Sequence, residues 1–454
     1  MQTNTPQRYI DSCYNHLNSK QKQEDGTFQP YYQKIDENTV AYIKKDILNT
    51  LEDGLNKNFI SKDEFSAMDP SEKPPAKFYE TFKVHKKHNE GETPPERPII
   101  SASGSITENI GLFVEEFLKE VANQHSTYLQ DTPDFLREIE ALNKKKTLPP
   151  HSILVTIDVS ALYTNIPQNE GLDAVREALD DKKKDDMNDF IIKMLEIVLK
   201  NNVFEFNKEL FIQLIGTAMG CRPAPSYANL FMAKKIDPLI SELAAKFENI
   251  NPLAFFKRFL DDIFLVYTGS LTNLHKFLSE LNNIHPTIKF TMTHTTPSGI
   301  ENPECGCPPS ETLAFLDTSC KLVDGTILTD LYRKETDRNQ YLLPSSCHPA
   351  HTTKNIPYSL ALRIVRICSL PDDRENRFVE LKNLLLSRDC KAGLIDHAIE
   401  RTRKLPRTEA LKKVIRPKNS QKPVFVINYY PRPGWQKIFC FVGTSLPRPI
   451  FRPR

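Results

Sequence analysis

Residues 255–267 read FFKRFLDDIFLVY, two apolar runs that meet at the acidic pair Asp261-Asp262. Short runs rich in aromatic and β-branched residues are typical of buried strands, so this stretch predicts a β-hairpin with the acids at its tip. Other Asp-Asp pairs of the chain lie in polar surroundings, where solvated surface is expected. The pair at 261–262 differs, because partly burying two adjacent carboxylates is costly unless cations neutralise them.

A second candidate strand also ends in an acid. Residues 152–158 read SILVTID and have the β-branched, apolar character of a buried strand that ends at Asp158. If this strand and the hairpin are neighbours in one sheet, Asp158, Asp261 and Asp262 converge at its edge. Three carboxylates make an oxygen-rich site suited to Mg²⁺. For Asp158 alone, a helix cap or a turn residue after a strand is the alternative.

Such a site has a specific chemistry. Two Mg²⁺ ions about 3.5–4 Å apart can activate a 3′-hydroxyl and stabilise a departing pyrophosphate in an in-line displacement. We expect Asp158 and Asp261 to bridge both ions and Asp262 to support one of them, with the backbone carbonyl of Val159 completing a coordination sphere. Mn²⁺ is an alternative ion. The predicted chemistry is that of a polymerase.

The acids lie in ordered motifs that resemble those of reverse transcriptases. Asp158-Val-Ser-Ala-Leu-Tyr163 resembles motif A, and Phe259-Leu-Asp261-Asp262 resembles motif C. Between them, GTAMG (216–220) and APSYAN (224–229) resemble motif B. The wording LYTNIP, GTAMG, APSYANLFM and FLD is most similar to reverse transcriptases of Penelope-like retroelements, over about residues 75–370.

The resemblance implies an α+β, right-hand polymerase fold with fingers, a palm containing an antiparallel sheet, and a helical thumb. It implies an RNA-directed DNA polymerase that adds dNTPs to the 3′-hydroxyl of a DNA primer on an RNA template, with two Mg²⁺ ions. The expected segments are a helical N-terminal extension (1–70), fingers (71–150), a palm with a fingers insertion (151–330), a primer-contact region and helical thumb (331–413) and a basic, proline-rich tail (414–454), with the reverse transcriptase core at about 75–335.

The resemblance also implies which residues bind the nucleotide. The ring of Tyr163 would fill the space that a ribose 2′-hydroxyl needs, and Gly220 would let the backbone approach the incoming base pair. Beside it, Met219 stands where many members of the wider superfamily have glutamine. Lys83 and Arg97 would meet the triphosphate, and Arg97 suits this best because guanidinium forks match phosphate oxygens. A core tyrosine, a turn glycine and solvated surface charges are the alternatives.

Contacts to primer and template are expected further along the chain. Phe315-Leu316-Asp317 resembles the motif that precedes the primer grip, although Asp317 could equally cap a strand. Arg333 and Lys334 follow a second predicted hairpin, whose turn is Asp324-Gly325, and could touch the primer-template backbone. Plain surface charge is the alternative for both.

Charge is distributed unevenly along the 454 residues, although the formal net charge is only +2. Residues 401–454 contain fourteen Lys or Arg and one acid, Glu409. This basic end fits a polyanionic partner or a solvated segment. No run of about 18 uncharged apolar residues occurs, and the first residues lack an apolar core of a signal peptide, so neither a membrane span nor secretion is expected. An intracellular compartment is expected.

Zinc is a weaker possibility. Nine cysteines, an odd number spread along the chain, favour reduced thiols over a disulfide framework. Cys305 and Cys307, or Cys347, His348 and His351, could offer zinc ligands, but their spacings match no common zinc finger.

Two alternatives to an active retroelement polymerase stay open. One is a catalytically inactive, nucleic-acid-binding remnant of a truncated element. The other is a host-domesticated, telomerase-like polymerase with a dedicated RNA. The GIY-YIG endonuclease signature that Penelope-like elements often carry after the polymerase is not found before Arg454.

Overall fold

The computed structural model describes residues 5–22, 26–82, 96–183, 185–247, 252–296, 310–334 and 336–413. The helices are α1 (Thr5–Leu17), α2 (Glu37–Asn56), α3 (Lys62–Met68), α4 (Glu108–Ala122), α5 (Thr132–Lys145), α6 (Leu162–Asn165), α7 (Gln168–Lys182), α8 (Asp186–Lys200), α9 (Ala224–Phe231), α10 (Asp237–Lys246), α11 (Leu271–Glu280), α12 (Ala350–Ile367), α13 (Pro371–Leu386), α14 (Ala392–Arg403) and α15 (Arg407–Ala410). A π-helical turn, Met232–Ile236, joins α9 to α10, and a 3₁₀ turn, Leu281–Asn283, follows α11.

The strands are β1 (Lys20–Lys22), β2 (Phe28–Pro30), β3 (Tyr32–Ile35), β4 (Ala76–Phe82), β5 (Glu96–Ser101), β6 (Ile153–Val159), β7 (Val203–Phe206), β8 (Glu209–Gln213), β9 (Leu253–Phe259), β10 (Asp262–Tyr267), β11 (Phe290–His294), β12 (Thr312–Phe315), β13 (Thr318–Val323) and β14 (Thr326–Leu331).

The chain divides into two compact units. Unit 1 contains Met1–Asp131 and Thr147–Phe315, and unit 2 contains Thr132–Lys146 and Leu316–Arg454. Helix α5 lies in the range predicted for the fingers, and β13 and β14 lie in the range predicted for the palm, yet all three belong to unit 2. The residue boundaries of fingers, palm and thumb therefore stay predictions.

A four-stranded antiparallel sheet forms the centre of unit 1, in the order β11-β6-β10-β9. The predicted hairpin is present as β9 and β10, and the predicted strand ending at Asp158 is β6 beside it. Residues 263–267 of β10 are all fully buried. Because successive side chains of a strand point to opposite faces, burial of the whole run means that both faces of the sheet are covered.

The two faces of this sheet have different cover. Ile263, Leu265 and Tyr267 belong to a large apolar core that includes the buried stripes of α4, α8 and α9. On the opposite face, the ring of Phe264 packs between Phe255 and Phe315, with ring centroids 6.0 and 5.2 Å away. The stripe that α4 buries in this core consists of Ile110, Val114, Leu118 and Val121.

A second sheet of unit 1 has five strands in the order β3-β8-β7-β4-β5. Strand β3 comes from the segment predicted as a helical extension, and it pairs antiparallel with β8. The extension thus contributes helices, as expected, and also a strand of this sheet. Phe78, Phe204 and Phe211 stack in its core, with centroid separations of 5.5 and 5.7 Å.

Unit 2 combines a hairpin with helices. Strands β13 and β14 pair through the predicted Asp324-Gly325 turn, where both residues have positive φ (49° and 72°), as a two-residue hairpin loop requires. Helices α12 to α15 pack around the buried side chains of Phe378, Leu381 and Leu385. The first of these helices begins at Ala350, within the range 331–413 that is predicted for the primer-contact region and helical thumb. Of the helices described, none has the length and apolar character needed to cross a bilayer.

Candidate active site

The two acid-bearing strands meet at the predicted edge of the sheet. Asp262 is the direct cross-strand partner of Asp158 in the β6–β10 ladder. One residue further, the backbone N–H of Val159 donates a 2.9 Å hydrogen bond to the carbonyl of Asp261. Directly opposed residues of antiparallel strands project from the same face, so Asp158 and Asp262 share a face. The three acids are therefore neighbours in space, although about a hundred residues separate them in sequence.

The turn that carries Asp261 has an unusual backbone. Leu260 and Asp261 form a two-residue loop between Phe259 and Asp262, and Leu260 has φ of +54°. A branched side chain rarely adopts this left-handed conformation, which glycine prefers. The backbone strain is retained directly beside the acidic pair, which is where strained residues concentrate in functional sites.

Arg258 holds this turn from inside, and sequence reasoning missed it. Its side chain is fully buried, and its Nη1 donates to the carbonyl of Leu260 at 3.1 Å and to Oδ1 of Asn229 at 2.7 Å. Its Nε donates to Oδ1 of Asp237 at 3.1 Å. The sequence does show a charged residue within an apolar strand, which needs a buried partner of opposite charge. It does not show which acid is that partner.

A cavity of about 960 Å³ opens beside the acids. Its lining includes residues of motif A, motif B, the tip of the hairpin and strand β5. The predicted site residues that line it are Arg97, Asp158, Val159, Tyr163, Met219, Gly220 and Asp261. Asp262 is not among the lining residues. The fold thus gathers nucleotide-site candidates from four separate segments around one space in unit 1.

Tyr163 belongs both to the lining of the cavity and to the edge of the apolar core. It is partly buried and packs against the apolar core, while its other side faces the cavity. Burial, and secondarily the negative charge of Asp261, raises the pKa of Tyr163 to about 12. The phenol is consequently neutral at physiological pH, with its hydroxyl proton in place. A bulky neutral ring at this position is compatible with the predicted screening of the sugar, which stays a prediction.

Backbone hydrogen bonds join the loop 216–220 to Tyr163 and to strand β5. The N–H of Thr217 donates to the carbonyl of Tyr163 at 2.7 Å, and the N–H of Ile100 donates to the carbonyl of Met219 at 3.0 Å. A Cβ on Gly220, which has φ of +124°, would lie 2.4 Å from the Ile100 carbonyl oxygen. The structure therefore gives Gly220 a packing role against β5, and its predicted approach to a base pair stays a prediction.

Two arginine side chains, Arg97 and Arg222, line the cavity in which the triphosphate is predicted to bind. Arg97 is exposed on β5 and lines the cavity, whereas Lys83 lies outside the described residues. Arg222, which sequence reasoning did not propose, also lines the cavity and lies 3.5 Å from Glu108 in an exposed ion pair. A weak surface pair leaves such a guanidinium free to exchange partners.

The predicted primer contacts lie in different settings. Phe315 is 3% exposed and its ring is in the core against Phe264, so a primer could meet only its backbone. Leu316 is half-buried, with φ of +53°. In unit 2, Arg333 is half-buried and Lys334 is exposed, directly after β14. Their contacts to nucleic acid stay predictions.

Asp317 has a structural role within unit 2. It accepts hydrogen bonds from Arg363 Nε at 2.7 Å and from the hydroxyl of Thr132. Its carbonyl also accepts from the N–H of Tyr332 at 3.0 Å. The side chain therefore anchors α12 and α5 to the start of the hairpin.

The donor set at the acids suits a hard divalent cation. Three carboxylates and a backbone carbonyl are oxygen ligands of the kind that Mg²⁺ prefers. In the part of the chain that the structure describes, no choice of one carboxylate oxygen from each of the three aspartates brings the three atoms within 4.8 Å of one another. Asp158 is exposed and Asp261 half-buried, so their side chains have room to rotate towards a shared ion. The residue types fit two Mg²⁺ ions, and the roles of the aspartates and of Val159 in binding them stay predictions.

The zinc candidates from the sequence are not assembled in the part of the chain that the structure describes. Cys347 is exposed, and the ring of His348 hydrogen-bonds to the hydroxyl of Ser346 at 2.5 Å. No cluster of three ligands forms there among the described residues. Cys305 and Cys307 lie outside the described residues.

Comparison with solved structures identifies the fold. Telomerase from Candida albicans, solved with a TWJ fragment of telomeric RNA, aligns with a TM-score of 0.52 at 9% identity, over 87% of this chain and 59% of that chain. The RNA-dependent RNA polymerase of a human picobirnavirus aligns at 0.45 and 13%, over 87% and 77%. Apo telomerase from Candida tropicalis aligns at 0.43 and 11%, over 88% and 72%.

The first alignment supports the predicted α+β, right-hand polymerase fold, and at this identity the similarity is one of fold alone. This chain spans about three fifths of the length of the Candida albicans chain. The family described as Animal helix-turn-helix domain matches residues 340–412, which contain α12 to α15. None of the curated proteins compared matches the chain. The chain therefore has the right-hand polymerase fold, with its candidate site on the central sheet.

Proposed function

We propose that this chain is an RNA-directed DNA polymerase of a Penelope-like retroelement, which transfers dNTPs onto the 3′-hydroxyl of a primer. The observation that carries the proposal is the junction of β6 and β10, where Asp158 faces Asp262 and the N–H of Val159 binds the carbonyl of Asp261. This junction opens onto a cavity shared with Tyr163, and the site lies in a right-hand polymerase fold.

The acids would hold the catalytic cations. Asp158 and Asp261 would share two Mg²⁺ ions, Asp262 would support one, and the carbonyl of Val159 would complete a coordination sphere. When bound, such ions activate the attacking hydroxyl and neutralise the charge that develops on the leaving pyrophosphate. The hydrogen bond between β6 and the turn keeps the acid-bearing backbones in fixed register, so the backbone needs little reorganisation and the carboxylates would reach the ions by side-chain rotation.

Other cavity residues would select and orient the nucleotide. The neutral ring of Tyr163 would occupy the volume of a ribose 2′-hydroxyl, so a deoxynucleotide fits and a ribonucleotide clashes. The exposed guanidinium of Arg97 would bind phosphate oxygens, helped by Lys83. Met219 and Gly220 would form the surface that contacts the base pair. Gly220 packs closely against the carbonyl of Ile100.

The substrates follow from the same proposal. An RNA strand would serve as template and a DNA strand as primer, and Arg333 and Lys334 would contact their phosphates through charge-assisted hydrogen bonds. Leu316 and the backbone of Phe315 would position the primer end. The basic residues after Arg401 would add salt-dependent affinity for the nucleic acid backbone.

Primer extension tests this function. The folded full chain should incorporate dTTP on poly(rA)/oligo(dT) in the presence of Mg²⁺. Mn²⁺ is the alternative ion to compare. Asp261→Ala should abolish incorporation. Filter binding across a salt series runs in parallel. Binding without any synthesis would replace the proposal with an inactive remnant, whereas a single co-purified RNA used as template would indicate a domesticated, telomerase-like enzyme.

A further inference from the structure

A second cluster of possible metal ligands lies at the five-stranded sheet of unit 1, whereas the three aspartates belong to the four-stranded sheet and its hairpin turn. It consists of His16 on α1, Glu80 on β4 and Glu96 at the start of β5. One ligand atom from each of the three lies within 4.8 Å of the other two. His16 Nδ1 and Glu80 Oε1 lie 3.7 Å apart. Two ligands each about 2.1 Å from one zinc ion lie no more than about 4.2 Å apart, so this pair leaves space for one ion.

The folding of the chain explains why these residues meet. In the β4–β5 ladder, Glu80 is opposite Pro98, and Glu96 lies two residues from Pro98 on the same face of the sheet. Helix α1 covers this face with Cys13 and His16, which are three residues apart and therefore on one side of the helix. The imidazole ring lies near Tyr32 and Phe78, with centroid distances of 6.0 and 6.4 Å.

The buried carboxylate of Glu80 has an oxygen atom that a bound cation would satisfy. Its side chain has 0% exposure, and its Oε1 is a buried atom with no hydrogen-bond partner. Its other oxygen, Oε2, lies 3.2 Å from the hydroxyl of Ser12, whose single proton it shares with Glu96 Oε1 at 2.5 Å. A buried carboxylate oxygen without a donor costs free energy unless a proton or a cation satisfies it.

We propose that His16, Glu80 and Glu96 bind one Zn²⁺ ion, which fastens α1 to the β4–β5 ladder. One imidazole nitrogen and two carboxylates are a donor set that Zn²⁺ accepts, and the nitrogen disfavours Mg²⁺ and Ca²⁺. The hydroxyl of Ser12 and the aromatic rings around His16 would orient the ligands from outside the coordination sphere. The site is independent of the polymerase proposal, since it contains none of the cavity residues.

Protonation supplies the competing explanation. Burial first, and then the charge of Glu96, raises the pKa of Glu80, while burial lowers the pKa of His16. A neutral imidazole is the form that binds a metal, and a cation would keep both carboxylates ionised. A proton on Glu80 is the alternative to a metal as the group that satisfies the buried carboxylate, and Glu80→Gln would imitate that protonated form.

A competition titration decides between the two. Full-length protein stripped with a chelator is titrated with Zn²⁺ against a chromophoric indicator, with Mg²⁺ in excess to occupy all-oxygen sites. We expect one equivalent of Zn²⁺ to bind, and its affinity to fall roughly tenfold or more in His16→Gln, Glu80→Gln and Glu96→Gln. The matched controls are His151→Gln, an exposed histidine, and Cys347→Ser, and both should bind as the unaltered chain does.

The unaltered protein provides a second measurement that does not depend on how the variants fold. Co²⁺ in place of Zn²⁺ should give the visible absorption of a low-coordinate nitrogen and oxygen site, and Zn²⁺ should raise the Tm of the stripped protein. The proposal is overturned if the folded chain binds no stoichiometric Zn²⁺, if the binding persists in His16→Gln, or if it is lost in Cys347→Ser instead.

Discussion

The backbone N–H of Val159 and the carbonyl of Asp261 are joined by a 2.9 Å hydrogen bond, which fixes the register between β6 and the turn of the hairpin. Register determines which face each side chain occupies, since a slip by one residue moves every side chain to the opposite face. The bond therefore places Asp158 on the same face as Asp262 and keeps Asp261 in the lining of the cavity. The predictions below follow from this arrangement.

Sugar selection should depend on the bulk of Tyr163. Replacing it with Ala removes the ring that faces the cavity, so ribonucleotides should be incorporated with a relative kcat/KM that rises about 10- to 200-fold against deoxynucleotides. Tyr163→Phe keeps the ring and should preserve the discrimination. The measurement is steady-state incorporation of rNTP and dNTP on the same hybrid. Equal discrimination by Tyr163→Ala and the unaltered chain would remove Tyr163 from this role.

The ionisation of Tyr163 gives a pH prediction. Burial and Asp261 raise its pKa to about 12, so the phenol keeps its proton throughout the range in which the enzyme can be assayed. A raised pKa means that the neutral form is favoured in the folded state, and only above the ordinary value near 10 does folding lose stability from this group. Sugar discrimination should therefore be constant between about pH 7 and pH 9. The prediction is contradicted if the sugar discrimination of the unaltered chain changes over this pH range while that of Tyr163→Phe does not.

Gly220 should tolerate no side chain. Gly220→Ala combines a positive φ with a Cβ that meets the Ile100 carbonyl, so we expect a loss of about 1–3 kcal/mol in the free energy of unfolding. Gly393→Ala is the matched control, because a Cβ on this exposed residue of α14 meets nothing within 4 Å. It should be neutral or stabilising by up to about 1 kcal/mol. Denaturant titration of both variants gives the comparison, and similar values would refute the close backbone approach.

Arg258 should be essential for stability. Arg258→Met leaves Asp237 buried without its counterion and frees the Leu260 carbonyl, which should cost about 3–5 kcal/mol. Arg258→Lys keeps a charge but lacks the fork that reaches several acceptors, so it should rescue only part of the loss. Arg176→Met, which removes an exposed pair with Asp189, should cost about 0–1 kcal/mol. Comparable losses at both arginines would contradict the structural role of Arg258.

The sequence was most informative where local chemistry and the periodic pattern agreed. The 255–267 hairpin, the strand ending at Asp158 and the Asp324-Gly325 turn are confirmed, because apolar runs and turn residues determine them locally. The partners of Arg258 could not be predicted, since they come from α9 and α10 and depend on packing.

The same limit applies to position in the fold. The burial of Phe315 and the packing of Gly220 on Ile100 are consequences of tertiary contact that no spacing shows. The meeting of His16 with Glu80 and Glu96 likewise depends on α1 covering the β4–β5 ladder, and the sequence contains no recognisable metal motif there. Helix α5 was predicted to belong to the fingers but belongs to unit 2, and this too depends on a tertiary contact. The side chain of Asn143 in α5 hydrogen-bonds to the backbone of Ile327 in β14.

The central claim is that Asp158 and Asp261 act as one catalytic unit. Groups that act together are strongly non-additive, so removing either should cost nearly as much as removing both. Asp46→Asn, which alters an exposed acid in the middle of α2, is the control and should keep full activity.

The decisive measurement is single-turnover incorporation of one dTTP on poly(rA)/oligo(dT) by Asp158→Asn, Asp261→Asn and the double variant, each checked for folding by circular dichroism. We predict that each single variant loses about 10³-fold or more in rate and that the double variant is no slower than either. Retained activity in a single variant, or losses that multiply in the double variant, would contradict a shared site at the junction of the two strands.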